Sequence, residues 1–98
     1  MQDLQDYIAQ ALVFRGFEKQ SVQDELLMLC EEVGELAKAI RQSQNKPKAT
    51  DSESFEVVYE VADVIWMTLP IASRLGISAE QAVRDKEEKN QKRTWQQP

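Results

Sequence analysis

The sequence predicts an all-α fold of four helices in a single domain spanning residues 1–98. Three observations carry that reading. Apolar residues recur at steps of three and four along most of the chain. At three places a serine or threonine stands three residues ahead of an acid or glutamine, the spacing of a capped helix N-terminus. Glycine follows two of the apolar runs, where helices stop, and no stretch alternates as a half-buried strand does.

The first helix is expected from about Asp3 to Phe14, with Leu4, Tyr7, Ile8, Ala11 and Leu12 at helical spacing and Gly16 as its stop. Ser21 and Asp24 then form a capping box that opens a second helix, reaching about Gln42. Its apolar stripe is Val22, Leu26, Leu29, Cys30, Val33, Leu36, Ala37 and Ile40, which makes Cys30 a small buried hydrophobe. A polar loop over residues 42–52 contains Pro47, and Thr50 with Glu53 caps a third helix running to about Leu75. This helix is apolar on more than one face, from Val57 through Val61, Ile65 and Leu69 to Ala72. Such breadth implies burial from two sides, the second by another subunit. Pro70 lies inside it and removes the bond to the Trp66 carbonyl, so a kink is expected there. Gly76 ends it, and Ser78 with Gln81 opens a fourth helix.

Composition narrows the chemistry. The chain has no histidine and one cysteine, so His general bases, His metal ligands, internal disulfides and multi-Cys zinc sites are excluded. No charged-then-apolar leader opens the sequence and no apolar run approaches bilayer length, so a cytoplasmic protein without membrane contact is expected. The net charge of −5 argues against non-specific nucleic-acid binding. Residues 1–63 hold 13 acids and 6 bases, whereas residues 64–98 hold 4 acids and 6 bases: an acidic body with a mildly basic tail.

Two acid pairs stand inside the apolar parts of their helices. Glu32 and Glu35 follow Glu31 on the second helix, and Glu60 and Asp63 repeat the three-residue spacing on the third. An E-E-x-x-E run alone is common on solvated helices. Acids amid apolar neighbours are costly unless paired or bound to a metal. Antiparallel pairing of the two helices would aim four carboxylates at one small volume, and the simplest neutraliser is a hard divalent cation such as Mg²⁺. Gly34, in mid-helix, points to close approach of something to the backbone. On the tail, Lys86, Lys89 or Asn90, and Arg93 share a face, either as a solvated helix end or as donors toward phosphates. Phe14, Phe17, Trp66 and Trp95 could stack on a base, although Phe14 and Trp66 also suit a core or interface and Trp95 a packing anchor.

Glu31-Glu32-x-x-Glu35 with Glu60-x-x-Asp63 resembles the two-part signature of the MazG-like, all-α nucleoside triphosphate pyrophosphohydrolases. The surrounding Leu29 to Ile40 and Val61 to Ile65, and the ending Asp85 to Arg93, are similar as well. The resemblance implies a four-helix MazG-like fold in which helices two and three form the metal-binding core, assembled as a homodimer or homotetramer. It also implies Mg²⁺-dependent cleavage of (deoxy)nucleoside triphosphates to monophosphate and pyrophosphate, a nucleotide-pool house-cleaning activity, with Mn²⁺ a possible substitute. By position Glu32, Glu35, Glu60 and Asp63 would be metal ligands. Glu31 would orient or deprotonate the attacking water, with Glu35 able to share that role. Lys86, Asn90 and Arg93, with Lys89 in addition, would hold the phosphates. Phosphoribosyl-ATP pyrophosphohydrolases are similar in the acidic motif. A non-catalytic helical dimer, binding nucleotide or a partner around a structural cation, is the alternative from another class. No residue matches a base-reading set.

Overall fold

The computed structural model describes residues 1–44 and 51–93, and all of its regular structure is helical. The helices are α1 (Gln2–Phe14), α2 (Val22–Gln44), α3 (Asp51–Arg74) and α4 (Ala79–Lys92). Each expected boundary is met within two residues. Thr50 and most of the loop expected over 42–52 lie outside the described residues, as does Trp95.

Local chemistry explains the boundaries. At Gly16 (φ 84°) the Phe17 N–H donates to the Leu12 carbonyl at 2.8 Å and Gly16 N–H to Val13 at 3.0 Å. This paired closure requires a left-handed residue, which glycine supplies without a Cβ clash. Gly76 (φ 71°) closes α3 identically through Ile77 N–H to Ala72 and its own N–H to Ser73. The Ser21 hydroxyl accepts from Asp24 N–H at 3.0 Å, and the Ser78 hydroxyl caps α4 by accepting from Gln81 N–H at 3.2 Å. Pro70 lies inside α3, which continues beyond it to Arg74.

α2 and α3 pack along their length, while α1 lies across the C-terminal half of α3. Two polar clusters fix these helices. The buried Gln5 donates to Ser73 Oγ (3.1 Å) and the Ile77 carbonyl (2.8 Å), and accepts from Ala79 N–H (2.8 Å), tying α1 to the α3–α4 turn. Arg74 donates to the Phe17 and Glu18 carbonyls at 2.9 Å each and forms an ion pair with Glu25, whose side chain is 1% exposed. The α1–α2 turn is thereby pinned to the end of α3. α4 departs from α3 at 94° and makes no contact with α2 among the described residues.

The inward face of α2 differs from the stripe that periodicity selects. Glu25, Leu29, Glu32, Leu36 and Ala39 face α3, whereas Leu26, Cys30, Val33, Ala37 and Ile40 are exposed. Cys30 is therefore a surface residue of this chain rather than a buried hydrophobe. Val58, Val61 and Ile65 form a matching exposed stripe on α3. Phe14 is 93% exposed and so belongs to no core within the chain. Among the described residues the buried apolar positions are Ile8, Ala39, Leu69 and Pro70. The radius of gyration is 16.8 Å, where a compact chain of this length has about 13 Å. No single described helix is long and apolar enough to cross a membrane.

Candidate metal centre

The antiparallel contact of α2 and α3 brings the two acid pairs together. Glu32 faces α3 because it lies on the same helical row as Leu29, Leu36 and Ala39, which pack there. Glu60 and Asp63 sit three residues apart on the opposing helix. One carboxylate oxygen from each of Glu32, Glu60 and Asp63 lies within 4.8 Å of the others. Glu32 and Glu60 are half-buried and Asp63 is exposed, so the cluster opens to solvent on one side.

Three carboxylates at this separation repel. The Glu32 carboxyl is pushed above the ordinary glutamate range, first by burial, then by the negative charges of Asp63 and Glu60, by a hydrogen bond with the Glu60 carboxyl, and last by Glu35. Glu60 Oε2 is shielded from solvent and has no hydrogen-bond partner among the described residues. A buried acceptor without a donor, beside two more carboxylates, is a position that a cation satisfies. An all-oxygen donor set without histidine or thiolate suits a hard ion such as Mg²⁺ or Mn²⁺ and not a soft one.

The other expected residues stand at different distances from this centre. Glu35 is exposed and lines, with Lys38, Ala39, Gln42, Glu56 and Glu60, a polar cavity of about 250 Å³ beside the cluster. Glu31 is exposed and lies outside the three-carboxylate cluster. Lys86 and Asn90 line a shallow surface hollow on α4 with Ala82, Val83 and Glu87, and Arg93 is the C-cap of that helix. Lys89 is exposed in the last turn. With α4 leaving α3 at 94°, helix rise alone puts Lys86 roughly 20 Å from Asp63 of its own chain. The fold thus unites Glu32, Glu60 and Asp63, sets Glu35 beside them, and leaves the basic face of α4 apart.

At Gly34 an added Cβ meets nothing within 4 Å among the described residues of this chain. Periodicity overlooked Glu25 and Arg74, one a buried charge and the other its partner. The available signal was that Glu25 lies seven residues ahead of Glu32, on the same helical face.

The family model described as the MazG nucleotide pyrophosphohydrolase domain matches residues 20–96, which contain all three clustered carboxylates and the basic face of α4. Among curated proteins and among solved structures, no significant match is found. With the match extending over more than three quarters of its length, the chain belongs to the MazG nucleotide pyrophosphohydrolase domain family.

Proposed function

We propose that this protein hydrolyses (deoxy)nucleoside triphosphates to the monophosphate and pyrophosphate in a reaction that needs Mg²⁺, with Mn²⁺ able to replace it. The observation that carries the reading is the convergence of Glu32, Glu60 and Asp63, with its unpartnered Glu60 oxygen. Glu32, Glu60 and Asp63 would hold the ion, and Glu35 would join them from the adjoining cavity. Bound there, it would polarise phosphate oxygens and ease ionisation of a water. Phosphoryl transfer depends on positioning and charge neutralisation, so a chain without histidine or an activated nucleophile can perform it. Of the two candidates for orienting the attacking water, Glu35 is better placed than Glu31, because it shares a cavity with Glu60.

The phosphate donors Lys86, Lys89, Asn90 and Arg93 are too distant to serve the acids of their own chain, so in this reading a second copy supplies them. The exposed stripes Leu26, Val33 and Ile40 on α2 and Val58, Val61 and Ile65 on α3 support a homo-oligomer. An extended chain with few buried apolar residues supports it too. In this reading the protein acts in the cytoplasm on free nucleotides and needs neither nucleic acid nor membrane.

The test is pyrophosphate release from a panel of nucleoside triphosphates with and without Mg²⁺, for the wild type, Glu35→Gln and Asp63→Asn. The expected result is metal-dependent release that both substitutions abolish while the helical circular dichroism is retained. Unchanged turnover in both variants would refute the site. Absence of turnover in the wild type on every nucleotide would refute the activity.

A further inference from the structure

One turn beyond Asp63, α3 carries Trp66, and residues three apart on a helix are side-chain neighbours, with Cβ atoms about 5–6 Å apart. Trp66 is half-buried. The Tyr7 ring meets it edge-on, with centroids 6.4 Å apart and planes at 76°. The Arg15 guanidinium lies 5.5 Å from the centre of the indole. Tyr7 is 58% exposed and Arg15 is exposed, so the group stays open to solvent. Beyond them a groove of about 500 Å³ runs along α1, lined by Tyr7, Gln10, Ala11, Phe14 and Arg15.

This is an unusual setting for a core tryptophan. Here a cation lies over the face of the half-buried indole and a phenol meets its edge, both from the solvent-exposed side of α1. Nor does it belong to the apolar stripe of α3. At about 100° per residue, Trp66 is turned roughly a quarter circle from Ile65, away from Val58 and Val61 and toward α1. A flat aromatic face, a guanidinium that can stack from the other side and a nearby phosphate-handling centre are together the elements of a nucleobase platform.

We propose that Trp66, with Arg15 and Tyr7, forms the subsite for the base of the nucleoside triphosphate, and that it requires an aromatic base while distinguishing little among the four. The inference rests on the triphosphate reading above and specifies the part of the substrate that the carboxylates do not touch. Stacking accepts any base because every base has a π-face. Gln10 and the Tyr7 phenol are the uncharged polar groups lining the groove that could bond a base edge, and both can donate or accept, so selection by hydrogen bonds is slight.

The experiment uses the full chain carrying Trp95→Phe, which leaves Trp66 as the sole tryptophan, with Mg²⁺ present. The probes are the four α,β-imido deoxynucleoside triphosphates, which resist cleavage at that bond, and inorganic tripolyphosphate. All four analogues are expected to quench Trp66 emission, with Kd values within about ten-fold of each other, while tripolyphosphate binds without quenching. In calorimetry, Trp66→Ala should weaken the analogues about ten-fold or more and Trp66→Phe much less, with tripolyphosphate affinity unchanged in both. Analogue affinity unaffected by Trp66→Ala would overturn the inference and leave the triphosphate reading standing. Equal quenching by tripolyphosphate would also overturn it, as would an emission maximum that shifts on dilution without nucleotide, which marks a subunit contact. Binding of neither probe by the wild type would overturn the triphosphate reading itself.

Discussion

Replacing Glu32 with glutamine removes one charge from a cluster whose carboxylate oxygens lie within 4.8 Å of each other, with little change in shape. At that separation two unit charges repel by about 1 kcal/mol in bulk water and by about 3.5 kcal/mol at an effective dielectric constant of ~20. Glu32 enters two such pairs, with Glu60 and with Asp63. Because Asp63 is exposed, solvent screens the pairs and the value falls toward the lower bound, so the relief is about 1–2 kcal/mol. The sign follows from the raised Glu32 pKa. The folded chain holds that proton more tightly than the unfolded one. The stability it confers is complete below the ordinary glutamate range and is lost as pH rises through the raised value. In chelator at pH 8, Glu32→Gln should therefore melt about 5–10 °C above the wild type. Near pH 4 the difference should shrink to almost nothing. Adding Mg²⁺ should raise the wild-type Tm and leave the variant much less affected. Thermal melts followed by circular dichroism supply every one of these values. A variant that melts at or below the wild type in chelator at pH 8 would refute the claim that the three acids form a strained cluster awaiting a cation.

The remaining predictions concern the scaffold and its assembly. Gln5→Ala strands the Ile77 carbonyl and the Ala79 N–H, and should cost about 2 kcal/mol or more in urea unfolding. Arg74→Met leaves the Glu25 charge buried without its partner and should cost about 3–5 kcal/mol, most of it recovered when Glu25→Leu is added. Gly34→Ala should stabilise the chain by about 1 kcal/mol, since a Cβ there meets nothing; a loss of stability would reveal a second copy packed at that point. In sedimentation equilibrium the wild type should behave as the proposed oligomer and Val61→Lys with Ile65→Lys as a monomer, and an unchanged mass would exclude that stripe from the proposed subunit contact.

Local signals made the helices legible. Ser21, Ser78, Gly16 and Gly76 act within four or five residues of chain, so their spacing already determines where α1 and α3 end and where α2 and α4 begin. The acid pairs were legible for a similar reason: three-residue spacing puts Glu60 and Asp63 on one side of α3 whatever packs there. What periodicity could not reveal is which apolar face meets which partner. It selected a stripe that includes Leu29 and Leu36, which do face α3, but also Leu26, Val33 and Ile40, which are exposed, and it left out Glu25, Glu32 and Ala39 on the inward row. A helix that packs on its own chain with one face and carries a second apolar stripe on another offers two rows of apolar residues, and hydropathy responds to the more apolar one. The basic residues of α4 illustrate the converse. Their spacing revealed a shared face, but the 94° departure that carries it away from the acids is a property of the α3–α4 turn. Trp66 was ambiguous for want of its neighbours, since Tyr7 and Arg15 reach it only once α1 crosses α3.

The central claim, that Glu32, Glu60 and Asp63 form a Mg²⁺-dependent centre cleaving between the α and β phosphates, is tested most directly by ³¹P NMR of a deoxynucleoside triphosphate incubated with the protein. Equal amounts of monophosphate and pyrophosphate are expected, appearing with Mg²⁺ and ceasing in chelator. Orthophosphate with the diphosphate, or turnover that persists without a divalent cation, would contradict it.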